Sequence, residues 1–157
     1  MRAGAARGDL YFLGFGVSKY RDPRLNLDYA HKDVLDLAAA FEPMKGGKDA
    51  FSAVHVHTFT NEQVTVEQLR KAKALLASAG VDDTVVVAVA GHGVHARDAT
   101  ATYFFATHET DVRRVAQTAA PFDVVESLLD GIRPRRKLLL LDTCESGDDD
   151  GAPEPGL

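Results

Sequence analysis

Apolar positions along the chain change period several times, and each change marks an element. Leu10–Val17 (LYFLGFGV) is a short apolar run closed by Ser-Lys-Tyr-Arg-Asp-Pro, the pattern of a strand followed by a loop. From Leu27 the spacing becomes helical: Leu27, Ala30, Val34, Leu37, Ala38 and Phe41 share one face, and Pro43 and Gly46-Gly47 end the pattern. Ala53–Phe59 alternates, as a strand does. Thr65-x-x-Gln68 is a capping box opening a helix that Gly80 closes. Thr84–Ala90 (TVVVAVA) is a strand with no polar face, Tyr103–Phe105 a short strand or hairpin arm, Phe122–Leu129 a helix ending at Gly131, and Lys137–Leu141 (KLLLL) a second strand with no polar face.

The resulting order is β-α-β-α-β, a small hairpin, then α-β. Strands buried on both faces and separated by helices predict an α/β fold, a mostly parallel sheet with helices on both faces. In such folds ligands bind beyond the carboxyl ends of the strands. Gly91-His92-Gly93 follows one buried strand and Asp142-Thr143-Cys144-Glu145-Ser146-Gly147 follows another. A histidine and the single cysteine are thereby expected at one edge of one sheet.

Composition narrows the classes of function. With 157 residues, 45% apolar and 26% charged, the chain is long enough for one domain with a real core and too apolar to be wholly disordered. The net charge of -5 offers no general attraction to nucleic acid or to an anionic membrane, and neither is expected as a partner. Arg133–Lys137, the one basic cluster, reads as a solvated loop. The longest apolar run, Val85–Ala90, is far too short to span a bilayer, and the first nine residues lack the apolar core of a secretory signal. One cysteine excludes an intrachain disulfide and fits a reducing, cytoplasmic setting.

A cysteine and a histidine are the minimum for thiolate attack on an amide, because the imidazole ionises the thiol and protonates the leaving amine. Gly91, Gly93 and Gly147 would let a peptide backbone approach, and the backbone N–H groups of Gly93 and Cys144 are candidates to hold an oxyanion. A lone cysteine behind a buried strand is more often a small core residue than a nucleophile. Two flanked motifs in one α/β chain shift that balance towards catalysis.

AGHG (Ala90–Gly93) after one hydrophobic strand and DTCESG (Asp142–Gly147) after another resemble the caspase and metacaspase group of cysteine peptidases. GVSKYRD (Gly16–Asp22) and LDYAHKDVLDLAAAF (Leu27–Phe41) are similar to the prokaryotic members, and His92 and Cys144 lie 52 residues apart, close to the caspase spacing. The resemblance spans residues 10–147 and implies a caspase-like three-layer sandwich, a large catalytic subunit, with Cys144 as nucleophile, His92 as acid/base partner and no third carboxylate. It also implies a preference for Arg or Lys before the cut, since metacaspases carry aspartate where Asp142 stands and an acidic residue on the first helix, here Asp33. The expected substrate pocket is Asp33, Asp142 and Ala90; two carboxylates suit a guanidinium or ammonium. The alternatives are a surface ion pair of Asp33 with Lys32 or Lys73 and a turn role for Asp142.

Other candidates are weaker. His55 and His57 share a strand face without a third ligand nearby, so no metal site is expected; His95 reads as solvated. Asp148–Asp150 reads as an acidic loop; the resemblance leaves calcium activation open without a clear site, and no cofactor is expected. Residues 1–9 read as a mobile lead-in and 148–157 as an acidic Gly/Pro linker end. In the family the sheet continues with two more strands, so a small subunit or C-terminal segment is expected to complete it, alongside a peptide or protein substrate. No Lys or Arg follows Cys144, so an enzyme specific for basic residues would not cut within this linker. The alternative function is a non-catalytic caspase-like binding or regulatory module.

Overall fold

The computed structural model describes residues 8–46 and 51–145. The expected linker 148–157, with Asp148–Asp150, lies outside them, as do Gly147 and residues 1–7 of the expected lead-in. Asp9 is anchored, its amide donating to Asp83 and its carboxylate meeting His55 at 2.9 Å.

The elements follow the hydrophobic pattern. Strand β1 (Leu10–Gly16) is buried throughout, β2 is Val54–Thr60, β3 Thr84–His95 and β6 Arg136–Glu145; β4 (Tyr103–Phe105) and β5 (Ala120–Pro121) form a small appendage. The helices are α1 (Ala30–Phe41), α2 (Val66–Ala72), α3 (Val115–Thr118) and α4 (Phe122–Glu126). Among the described residues β2, β1, β3 and β6 run parallel in that order, and β4 joins β3 antiparallel beyond the end of β1. Helix α1 covers one face through Val34 and Ala38, over Phe12, Val86, Ala88 and Ala90. Helices α2 and α4 cover the other through Leu69, Ala72, Val124 and Val125, over Leu13, Phe15, Val85 and Val87. This is the expected α/β sandwich of three layers.

Local details depart from expectation. Thr65 caps α2 by accepting the Gln68 amide at 3.1 Å, but the reciprocal capping box lies five residues earlier, between Thr60 and Gln63. Helix α4 stops at Glu126, short of Leu129, and the chain turns through Gly131 at φ +66. The run Lys137–Leu141 is not buried on both sides: β6 has one described neighbour, β3, and Leu138 and Leu141 remain 48% and 46% exposed. A leucine run records what the strand is built to bury, and whether a neighbour covers it is decided elsewhere in the chain.

Candidate active site

Gly91–Gly93 and Asp142–Glu145 lie inside strands rather than beyond them. β3 continues five residues past Ala90 to His95, and β6 continues four past Leu141 to Glu145. The mutual ladder carries them, and pairing outweighs the poor strand propensity of glycine. In this ladder Ala90 stands opposite Asp142, His92 opposite Cys144 and Gly93 opposite Glu145. Adjacent strands run about 4.8 Å apart, so the histidine and the cysteine are lateral neighbours. Cys144 is exposed and free.

The imidazole of His92 is oriented by backbone. Its Nε2 lies 2.9 Å from the Leu25 carbonyl oxygen. A carbonyl only accepts, so Nε2 carries the proton and, in the neutral ring, Nδ1 carries the lone pair. Among the described residues Nδ1 is buried without a hydrogen-bond partner. A buried polar atom left open is uncommon. The Tyr20 ring lies 5.4 Å from the imidazole, and its hydroxyl accepts the His92 amide at 3.0 Å. Gly91 makes room for this: its φ is +154, and a Cβ there would lie 3.0 Å from the Tyr20 hydroxyl and 3.2 Å from Phe105.

The loop presenting Leu25 is fixed at several points. Asn61 Oδ1 accepts the amides of Ser18 and Lys19, each at 3.0 Å, and Asn26 Oδ1 accepts the Tyr20 amide at 2.8 Å. Asp22 caps the short 3-10 turn Pro23–Leu25 and pairs with Arg24 at 2.6 Å. That hydrogen-bonded guanidinium holds the Asp22 carboxyl down at about 2.

Asp33 and Asp142 come together. They line one open cavity of about 260 Å³ whose walls are Val34, Leu37, Ala88, Ala90 and Leu140. Both carboxylates are exposed, so neither needs an internal partner. Of the alternatives, Asp142 continues the β6 ladder instead of turning, while Lys32 bonds Asp36 at 2.6 Å and also feels the charge of Asp33. Apolar walls with carboxylates at the mouth suit a side chain with a long aliphatic stem and a cationic end. Larger hollows of 410–450 Å³ lie elsewhere, lined by arginines such as Arg21, Arg70 and Arg114.

The family model for the caspase domain matches residues 13–156. The chain belongs to the caspase-domain family. Among solved structures, the crystal structure of protein GSU0716 from Geobacter sulfurreducens matches with a TM-score of 0.65 at 19% identity, over 88% of this chain and 52% of that one. At that identity the likeness shows the fold, and this chain spans about half the length of that structure. No curated protein matches.

In this caspase domain His55 stacks on Tyr11 at 4.5 Å and pairs with Asp9, while His95 bonds the Ala101 carbonyl at 2.7 Å. Among the described residues no group of three or more His, Cys, Asp or Glu side chains is placed to hold a metal, and no helix is long and apolar enough to cross a membrane. Four contributors to the caspase-domain site had escaped the sequence reading: the Leu25 carbonyl, Tyr20, and the pair Tyr103–Thr143, whose hydroxyls lie 2.8 Å apart. A backbone carbonyl has no sequence signature at all. Tyr20, three residues past the first apolar run, was the nearest to a visible signal.

Proposed function

We propose that this caspase domain is a cysteine endopeptidase that cleaves after Arg or Lys, with Cys144 as nucleophile and His92 as acid/base. The observation that carries the reading is the rung His92–Cys144, in which Leu25 holds the protonated Nε2 and leaves Nδ1 as the open base. Nδ1 takes the thiol proton as Sγ attacks the scissile carbonyl carbon, then gives it to the leaving amine; a thioester remains. Water attacks the thioester with Nδ1 as base, and the thiol is restored. The oxyanion is assigned to the N–H groups of Gly93 and Cys144; both residues stand in the β3–β6 ladder, so this role requires those N–H groups to turn from the ladder to the substrate. The substrate's cation enters the cavity of Asp33 and Asp142, with Ala90 in its wall. A small subunit or further segment completes the sheet beside β6, whose second edge carries no strand among the described residues.

Hydrolysis of fluorogenic peptides ending in Arg, Lys, Asp or Leu, beside Cys144→Ala and His92→Ala, tests this. Arg and Lys substrates are expected to be cleaved and both variants to lose activity without loss of fold. Hydrolysis persisting near the wild-type rate in Cys144→Ala, or a profile dominated by Asp or Leu, would overturn the reading.

A further inference from the structure

The nucleophile sits on a strand with one described neighbour. Strand β6 pairs only with β3 among the described residues, and the described ladder runs through His92–Cys144 to Gly93–Glu145. A strand held from one side opens more readily than one held from both. A catalytic pair whose geometry is one lateral step between strands therefore needs a second restraint.

Tyr103 is placed to supply it. It enters from β4, where it stands opposite His95, and reaches across β3 to β6, its hydroxyl 2.8 Å from Thr143 Oγ1. The crossing goes directly over Gly93, where an added Cβ would lie 1.9 Å from the Tyr103 hydroxyl oxygen. Only a glycine permits that passage. The ring is held on two sides, by His95 at 5.1 Å and an interplanar angle of 50°, and by Phe122 at 5.3 Å and 55°. The hydroxyl is thus an anchored point, and Thr143, adjoining Cys144, is what it anchors.

We propose that Tyr103 is a positioning residue for the nucleophile: its bond to Thr143 clamps the end of β6 to β3 and keeps Cys144 opposite His92. This rests on the reading of Cys144 as nucleophile. The pocket rung Ala90–Asp142 lies one position inside the clamped Thr143 and is backed by the six rungs from Thr84–Arg136 to Val89–Leu141, whereas Cys144 lies on the outer side of the clamp. Loss of the clamp should therefore slow the chemical step while leaving recognition of the basic side chain intact.

The test compares Tyr103→Phe, Thr143→Val, Thr143→Ser and the double variant Tyr103→Phe/Thr143→Val in the intact protein. Steady-state kinetics on an Arg peptide are paired with amide hydrogen exchange at residues 143–145. Tyr103→Phe and Thr143→Val are each expected to lower kcat about 3- to 10-fold, the range for one neutral hydrogen bond, with KM within about twofold. Exchange at residues 143–145 should speed up while β1 is unchanged. Thr143→Ser keeps the hydroxyl and should behave as wild type, and the double variant should be no worse than the poorer single. Thr143→Val breaks the bond without touching the Tyr103 ring packing, so the two single variants control each other. Wild-type kcat and exchange in Tyr103→Phe, additive losses in the double variant, or a raised KM at constant kcat would each overturn the clamp. Faster exchange in the variants of a protein that hydrolyses no peptide would support the clamp and overturn the peptidase reading instead.

Discussion

Tyr20 meets His92 twice, through its ring and through its hydroxyl, and that makes it a sensitive residue. Burial pushes its phenol up to about 12, against the opposing effect of the His92 N–H it accepts. The raised value means the neutral phenol is the form the fold favours. Its stabilisation is complete below the ordinary value of 10.0 and is lost as pH rises towards about 12. The melting temperature is expected to fall over that alkaline window, and Tyr20→Phe should flatten the fall while costing about 1–3 kcal/mol at neutral pH for the unpaired amide. An unchanged alkaline profile in Tyr20→Phe would show that Tyr20 is not the titrating group. Asp142→Ala should reduce kcat/KM on Arg peptides but not on neutral ones. Because Asp33 and Asp142 are exposed, the loss in the open pocket is about 1 kcal/mol, rising towards about 2–5 kcal/mol only if substrate seals the site. Equal loss on Arg and neutral peptides would assign Asp142 a purely structural role.

At the scale of elements, the loop between β1 and α1 does what no single side chain does. It carries Leu25, and its shape depends on a residue distant in sequence, Asn61, held at φ +51 with its side chain accepting two loop amides. Asn61→Ala would leave the buried Ser18 amide without its acceptor, for a cost of about 1–3 kcal/mol, and would free the loop. Lower thermal stability together with a lower kcat is expected, while Asn61→Asp keeps the accepting oxygen and should largely restore both. Retention of full kcat in a destabilised Asn61→Ala would mean that the loop does not orient His92. The Asp22 cap adds a pH signature. Its depressed carboxyl contributes above the ordinary value of 3.8, and that contribution is lost as pH falls through about 2.

At the scale of the molecule, β2 and β6 are the two ends of the parallel run, each with one strand neighbour among the described residues. β1, between β2 and β3, is buried along its whole length, whereas β6 leaves two leucines half exposed at the edge. Strong β-formers on an unpaired edge invite pairing. In the active protein a further strand is expected beside β6, and co-purification of a longer form or a second chain, read by native mass, would show it. Leu138→Lys with Leu141→Lys should abolish that association at little cost to the core, since neither residue is buried. Association that survives both substitutions would place the contact elsewhere.

The alternation of strands and helices, the buried character of Leu10–Gly16 and Thr84–Ala90, and the two motifs with a histidine and a cysteine were legible in the sequence alone. Hydrophobic period is local, and a run of Val or Leu bounded by Gly and Pro states its element without reference to the rest of the chain. Asp33 and Asp142 were singled out through the resemblance to metacaspases, and the structure brings both to one cavity. Only the tertiary structure decided that β6 lies at the edge of the described sheet with its leucines half bare, that Gly91–Gly93 and Asp142–Glu145 run on as strand, that His92 and Cys144 share a rung, and that the Leu25 carbonyl and the Tyr20 hydroxyl bond His92 while the Tyr103 hydroxyl bonds Thr143. Register, edge position and backbone hydrogen bonds are relations between segments far apart in sequence. The energy that settles them comes from pairing and packing across the sheet, which no single stretch of residues contains.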